Sequence, residues 1–363
     1  MKKIHFTLLA VASLLLATEA RAQISIYIAG AVSLKDVTYN TLKTNMFGAA
    51  NITSQNLDNA TAIKANVYTM QGTMPNLFGS QTVTVFVNWN GSGSAIASMT
   101  GNGQSSFFAS PVQGNTNQIS SAVDIGFSVV FQSDFSYPTP VLSDSTYGCT
   151  PTIFARSVNT PAALTNLTSQ HLRYIEANGS APLSLFTGNV GDTTDIKWIM
   201  RDIGAAHRVI SAKEAGFTGN ALAYNFNFTN STWALDTVGQ LTWPIIDKML
   251  TNSSVSPCIT FLPPTEAGNI PAANILSFNG FFPFRGSFST ATNDFTPAIN
   301  GQYTCWGFEH IMTLPTASAN ITTFANAFKT ALASNLLAGS PYSIPLSRMN
   351  VTRTSTGGLV TPK

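Results

Sequence analysis

Three short segments combine glycine, small hydroxyl residues and arginine in a pattern suited to holding an anion. They are Gly30 to Leu34 (GAVSL), Gly91 to Ala95 (GSGSA) and Arg201 to Arg208 (RDIGAAHR). Each follows an apolar run and precedes a helical pattern. A strand–turn–helix junction of this kind gathers backbone N–H groups and the positive end of a helix dipole at one point. In the second segment small residues let a ligand approach the backbone, while Ser92 and Ser94 add hydroxyl donors. Arg201 and Arg208 can each offer paired hydrogen bonds to an oxyanion. The plain alternatives are a solvated turn for GSGS and a salt bridge to Asp202 for Arg201.

Other chemistry finds little support. There is no GxSxG elbow, HExxH pair or P-loop. His171, His207 and His310 are scattered. Glu309 and His310 are adjacent, so on a strand they point to opposite faces and make a poor acid/base pair. Cys149, Cys258 and Cys305 form no CxxC or His/Cys cluster, so no metal site is expected. An odd number of cysteines leaves at least one thiol free in a monomer, and spacing alone does not give a pairing. Neither an enzyme nor a cofactor-dependent protein is expected.

The elements that must position the junctions read as alternating strands and helices. Strands are expected at Ile24–Ala29, Val67–Met70, Thr82–Trp89, Val123–Ser128, Pro151–Ala155 and Asp195–Met200. Helices are expected at Leu34–Thr44 capped by Ser33, at Ala95–Met99, at Thr168–Ala177 capped by Thr168, and at Gly239–Leu250 with a kink or restart at Pro244. In the last helix Ile321, Phe324, Ala325, Phe328, Ala331 and Leu332 share one face, Asn320 is the expected cap, and Gly339 with Pro341 forms the stop. The stretch 253–300 is rich in Pro, Gly, Asn and Phe and reads as irregular. The alternation argues for an α/β fold.

Composition narrows the range of partners. Only 9% of the 363 residues are charged and 44% are hydrophobic. That excludes a basic nucleic-acid clamp and an acidic disordered tail, and the length suits two lobes. Lys2 and Lys3, an apolar run from Phe6 to Ala17 and Ala20-Arg21-Ala22 form a secretory leader pattern with cleavage expected after Ala22. Loss of Lys2, Lys3, Glu19 and Arg21 leaves a formal charge of zero, so an anion must be held by local groups. No later run is long enough to span a membrane.

In order along the chain, these segments resemble the secreted phosphate-binding proteins of bacterial ABC importers and their relatives. Ile26–Ser33 is similar to the opening strand and glycine–hydroxyl turn of that family, and Gly91–Ser94 to its second glycine–serine junction. Asp124–Ser128 resembles D-I-G-x-S-D, and Leu167–Leu172 the helix that opens the second lobe. Arg201–Arg208 aligns with R-D-S-G-S-G-T-R, and Gly301–His310 with a return strand. The resemblance implies a two-lobed type II periplasmic-binding-protein fold with a central ligand cleft and two interlobe crossovers. It places lobe I at 24–148 and 300–363 and lobe II at 149–299. It implies a periplasmic or secreted solute-binding protein that takes phosphate or a related small oxyanion for ABC-type import and docks on importer membrane subunits. The implied ligand-binding residues are Ser33, Leu34, Gly91, Ser92, Gly93, Ser94, Ser128, Arg201 and Gly204. Ala205 and His207 stand where the family has hydroxyl donors, Ala206 where it has glycine, and Val129 where it has an aspartate. Losing about three hydrogen bonds at roughly 0.5–1.5 kcal/mol each weakens phosphate binding by orders of magnitude. A protonated His207 would restore one donor. The rival reading is a secreted structural or adhesion protein on the same fold with a degenerate site, and a secreted hydrolase stands behind it.

Overall fold

The computed structural model describes residues 23–363 apart from 237, 240 and 241. The expected leader lies outside the described residues. The protein is a mixed α/β molecule built on two large sheets, one per lobe. The first sheet has eight strands. At its centre Ile24–Gly30 runs parallel to both Thr82–Asn88 and Ile125–Ser128. Ile26, Ile28, Val83, Val85 and Val87 are fully buried, which is why these runs are apolar rather than alternating. Antiparallel strands extend the sheet on both sides, including Ser143–Pro151 and Trp306–Thr313.

The second sheet has six strands, ordered Asn166–Leu167, Ile275–Phe278, Ile153–Arg156, Cys258–Leu262, Asp195–Trp198 and Ser180–Pro182. Two of them, Cys258–Leu262 and Ile275–Phe278, fall in the stretch expected to be irregular. Both are short and wholly buried, and the prolines and glycines flank them instead of interrupting them. The chain leaves the first sheet at Pro151 and enters the second at Ile153, so one residue, Thr152, makes the first crossing. The return runs through the segment between Phe278 and Trp306.

Local signals are satisfied with adjustments at the helix ends. Thr168 caps its helix by accepting the His171 N–H. The final helix, Ala319–Ala338, is capped by Ser318 rather than Asn320. Ser33 caps nothing: the chain passes through a 3-10 turn at Val32–Leu34 before the helix Lys35–Thr41 begins. Pro244 does not kink a helix but sits in the first turn of Trp243–Thr251, where a missing N–H costs nothing. Residues 240 and 241 of the expected helix lie outside the described residues. All three cysteines are buried free thiols.

Candidate functional site

The C-terminal ends of the parallel strands carry the junctions to the cleft. Gly91 donates its N–H to the Gly30 carbonyl at 2.9 Å, which locks the first two junctions side by side. Gly91 has φ of +109°, a conformation glycine adopts without strain, and it starts the helix Ser92–Met99. From the other lobe, the strand Asp195–Trp198 leads through Arg201 to the helix Ala206–Glu214. The N-termini of the two helices meet across the cleft. Gly93 donates to the Gly204 carbonyl at 3.0 Å, a backbone bond between lobes. A Cβ at Gly93 would lie 2.9 Å from Gly204 Cα and 3.0 Å from the Phe135 ring, so only glycine permits this approach.

Beside that contact is a cavity of about 20 Å³, lined by Ser33, Gly91, Ser92, Arg201, Ala205, Ala206, His207 and Trp243 among others. Three of these residues present a buried polar atom without a hydrogen-bond partner: Ser33 Oγ, Ser92 Oγ and His207 Nε2. Their residues are 6%, 0% and 4% exposed. Unsatisfied buried polar groups cost about 1–3 kcal/mol each, and a polar guest at this point would satisfy all three. Arg201 stacks on Trp243, 4.7 Å from guanidinium carbon to ring centre. It binds Asp202 through Nε at 3.2 Å and Nη2 at 2.8 Å.

The expected ligand set is therefore brought together in part. Ser33, Gly91, Ser92 and Arg201 line the cavity. Gly93 and Gly204 form the lobe contact next to it, with exposed Ser94 alongside. Their amides are engaged: Gly93 N–H on Gly204, and Gly204 N–H on Asp202 Oδ1 at 3.0 Å. Two residues are not brought to the cavity. Leu34 spends its N–H on the Ala31 carbonyl in the 3-10 turn. Ser128 Oγ donates to the Val130 carbonyl at 2.7 Å and accepts the Val130 N–H at 3.1 Å. Arg208 also turns away, donating to the carbonyls of Arg201 and Val238.

His207 is not the protonated donor considered from sequence. Burial, with Arg201 nearby, pushes its pKa down to about 3, so the ring is neutral at physiological pH. Its Nδ1 is 2.8 Å from Thr152 Oγ1, the residue of the first crossing. Two contributors escaped the sequence reading: Trp243, which orients Arg201, and Thr152, which holds His207. The Trp243-Pro244 pair at a helix start was the one available signal. Among the described residues no group of three or more His, Cys, Asp or Glu could hold a metal ion, and no helix is long and apolar enough to cross a membrane.

No protein-family model matches the chain, and no curated protein matches it. Its fold is similar to that of several solved structures at low identity. A protein assigned as a phosphate ABC transporter substrate-binding protein, from Clostridium perfringens with bound phosphate, is 12% identical with a TM-score of 0.49. The match covers 89% of this chain and 99% of that one. An ABC-type phosphate transport receptor from Vibrio cholerae is 13% identical, also with a TM-score of 0.49, over 86% and 96%. An OxyR mutant from Corynebacterium glutamicum is 8% identical with a TM-score of 0.42, over 92% and 72%.

Proposed function

We propose that this protein is an exported solute-binding protein, not an enzyme, whose interlobe cleft takes phosphate or a related small oxyanion for ABC-type import. The observation that carries the reading is the convergence of Ser33, Ser92, His207 and Arg201 on one buried cavity between two helix N-termini. A neutral His207 with hydrogen on Nε2 supplies a donor that costs no charge burial. Thr152 selects that form when its hydroxyl donates to Nδ1. Arg201 provides the only full positive charge of this set, and the helix ends add partial charge. The cavity has room for about one water. A tetrahedral oxyanion therefore enters only when the Gly93–Gly204 bond opens and the lobes part, and closure is a hinge motion at the crossings. Lobe I comprises 24–148 and 300–363 in this reading and lobe II 149–299, with the first boundary carried on to Thr152 because Cys149–Pro151 still pair in the first sheet. Delivery is to importer membrane subunits outside the cytoplasm.

A thermal-shift screen against phosphate, sulfate and other oxyanions tests the proposal. A ligand at 100 times its dissociation constant stabilises the folded state by about 2.7 kcal/mol, and Arg201→Met should abolish the shift. The second reading, a structural or adhesion protein with a degenerate site, is favoured by the direct Gly93–Gly204 contact, which joins the two lobes backbone to backbone. A flat response to every oxyanion selects it.

A further inference from the structure

The small cavity does not stand alone. A second interlobe cavity, about 430 Å³, shares Val32, Arg201 and Trp243 with it. The two are thus adjoining parts of one cleft, and the larger is in the size range of small-molecule sites. A free oxyanion would use only the small part. The large part has its own chemistry. Lobe I contributes Lys35, Lys64 and Asp36, the last held by Asn40 Nδ2 at 2.7 Å; lobe II contributes Arg201, Asp247, on the helix Trp243–Thr251, and Glu266, on the short helix Pro264–Ala267. Among the described residues no ion pair joins these lysines to these carboxylates. The chamber thus holds charges of both signs, with the two lobe II carboxylates side by side on one wall.

We infer that the cleft takes a small zwitterion, a phosphomonoester or phosphonate carrying a short aminoalkyl group, with its phosphoryl end at Arg201, Ser33 and Ser92 and its ammonium at Asp247 and Glu266. The inference rests on the oxyanion reading above and deepens it.

The two carboxylates are held as a pair. Both accept from Asn269 Nδ2, Asp247 at 2.7 Å and Glu266 at 3.0 Å. Glu266 is 8% exposed, and Asp247 Oδ1 is buried without a hydrogen-bond partner. Two carboxyl groups sharing one amide repel each other. Burial and the Glu266 charge push Asp247 up to about 7, and burial pushes Glu266 up as well. A ligand cation placed between them relieves that repulsion, and a neutral alkyl group does not. Arg201 answers the other end, while Lys35 acts on both carboxylates from within the chamber and offsets their repulsion only in part. The ammonium of such a ligand does what no side chain in the chamber does at contact distance.

Calorimetric titration of the protein with O-phosphoethanolamine, ethyl phosphate and inorganic phosphate tests the inference. O-phosphoethanolamine is expected to bind about tenfold or more tighter than ethyl phosphate, tenfold corresponding to 1.4 kcal/mol. Glu266→Gln and, as a second variant, Asp247→Asn should each shrink that ratio to about threefold or less, with thermal melts confirming that they fold. Equal affinity for O-phosphoethanolamine and ethyl phosphate overturns the inference while leaving the oxyanion reading in place. A ratio undiminished in both variants overturns the assignment of the carboxylates. Absence of binding by all three phosphates overturns the inference together with the reading beneath it.

Discussion

Two arginines in this molecule are built into the same kind of trio, arginine, tryptophan and acid, and differ in where the acid comes from and how deeply it is buried. Arg201 stacks on Trp243 and pairs with Asp202. Arg353 stacks on Trp306, 4.1 Å from the ring centre, and pairs with Glu214 at 2.5 Å. The Asp202 side chain is 40% exposed and is the chain neighbour of Arg201. The Glu214 side chain is 8% exposed and 139 residues away from Arg353. A partner in water can be exchanged for a ligand at small cost. A buried, distant partner cannot, because parting would strand a charge. Glu214 also accepts from Thr304 Oγ1 at 2.8 Å, and Arg353 donates to the Thr304 carbonyl. The rear trio therefore ties the helix Ala206–Glu214 of lobe II to the C-terminal segment and the strand entering lobe I. The front trio is left free to work.

The sharpest way to break this comparison is to remove each arginine in turn. Arg353→Met leaves Glu214 buried without its cation and should cost about 3–5 kcal/mol in urea unfolding. Arg201→Met should cost about 0–1 kcal/mol, the ordinary worth of a partly exposed pair, while removing oxyanion binding. Similar stability losses for the two variants would show that burial of the partner does not separate the two trios.

Glu309 sharpens the comparison from the opposite side, as a buried acid for which no arginine or lysine forms an ion pair among the described residues. Burial, opposed only in part by Ser343, pushes its carboxyl from 4.5 up to about 8. The folded state therefore holds a proton that the unfolded chain releases. Between pH 4.5 and 8 the native protein binds more protons, so this group makes stability fall as pH rises through that window. Below it the penalty is absent; above it the penalty is complete. Each pKa unit corresponds to about 1.4 kcal/mol, so the loss amounts to a few kcal/mol. Glu309→Gln should flatten this part of the pH–stability curve, and an unchanged slope in urea melts would place the titration elsewhere.

A smaller effect is expected at the lobe contact. Gly93→Ala puts a Cβ 2.9 Å from Gly204 Cα. Overpacking typically costs about 1–3 kcal/mol, and here the lobes can escape it by staying apart. Global stability should change little while oxyanion affinity falls by about tenfold to a hundredfold. A fall in melting temperature with affinity intact would show that the contact serves folding instead of closure.

The contrast between local and distant partners also explains what could be read from the sequence. The junctions were legible because glycine, serine and arginine after an apolar run report on local geometry, and Ser33, Gly91, Ser92 and Arg201 do line one cavity. Leu34 and Ser128 stand apart from that cavity for a local reason too: a 3-10 turn and a serine–backbone turn engage their N–H and hydroxyl donors. The rear trio was invisible, since nothing at Glu214 points to a partner at position 353. The strands Cys258–Leu262 and Ile275–Phe278 were hidden by their proline- and glycine-rich flanks. Their burial is set by neighbours such as Ile153–Arg156, far away in the chain.

The last prediction is of an effect near zero, and it separates two ways of replacing a lost hydroxyl donor. A histidine in an anion site could act by charge, and binding would then weaken as pH rises through the usual imidazole range. His207 has no such option. Burial beside Arg201 pushes it down to about 3, so its charge is the same at about pH 5 as at about pH 8. Protonation would put a second cation next to Arg201, and only a dianion held between them would offset that cost. For sulfate, which has no titration of its own in this range, affinity should be flat from about pH 5 to about pH 8 at fixed ionic strength in a protein carrying Asp247→Asn and Glu266→Gln, which removes the raised carboxyl groups of the adjoining chamber. A decline centred near about 6.5, the ordinary imidazole value, would mean that His207 binds the anion as a cation, and that the Arg201 charge is screened by the ligand rather than felt by the ring.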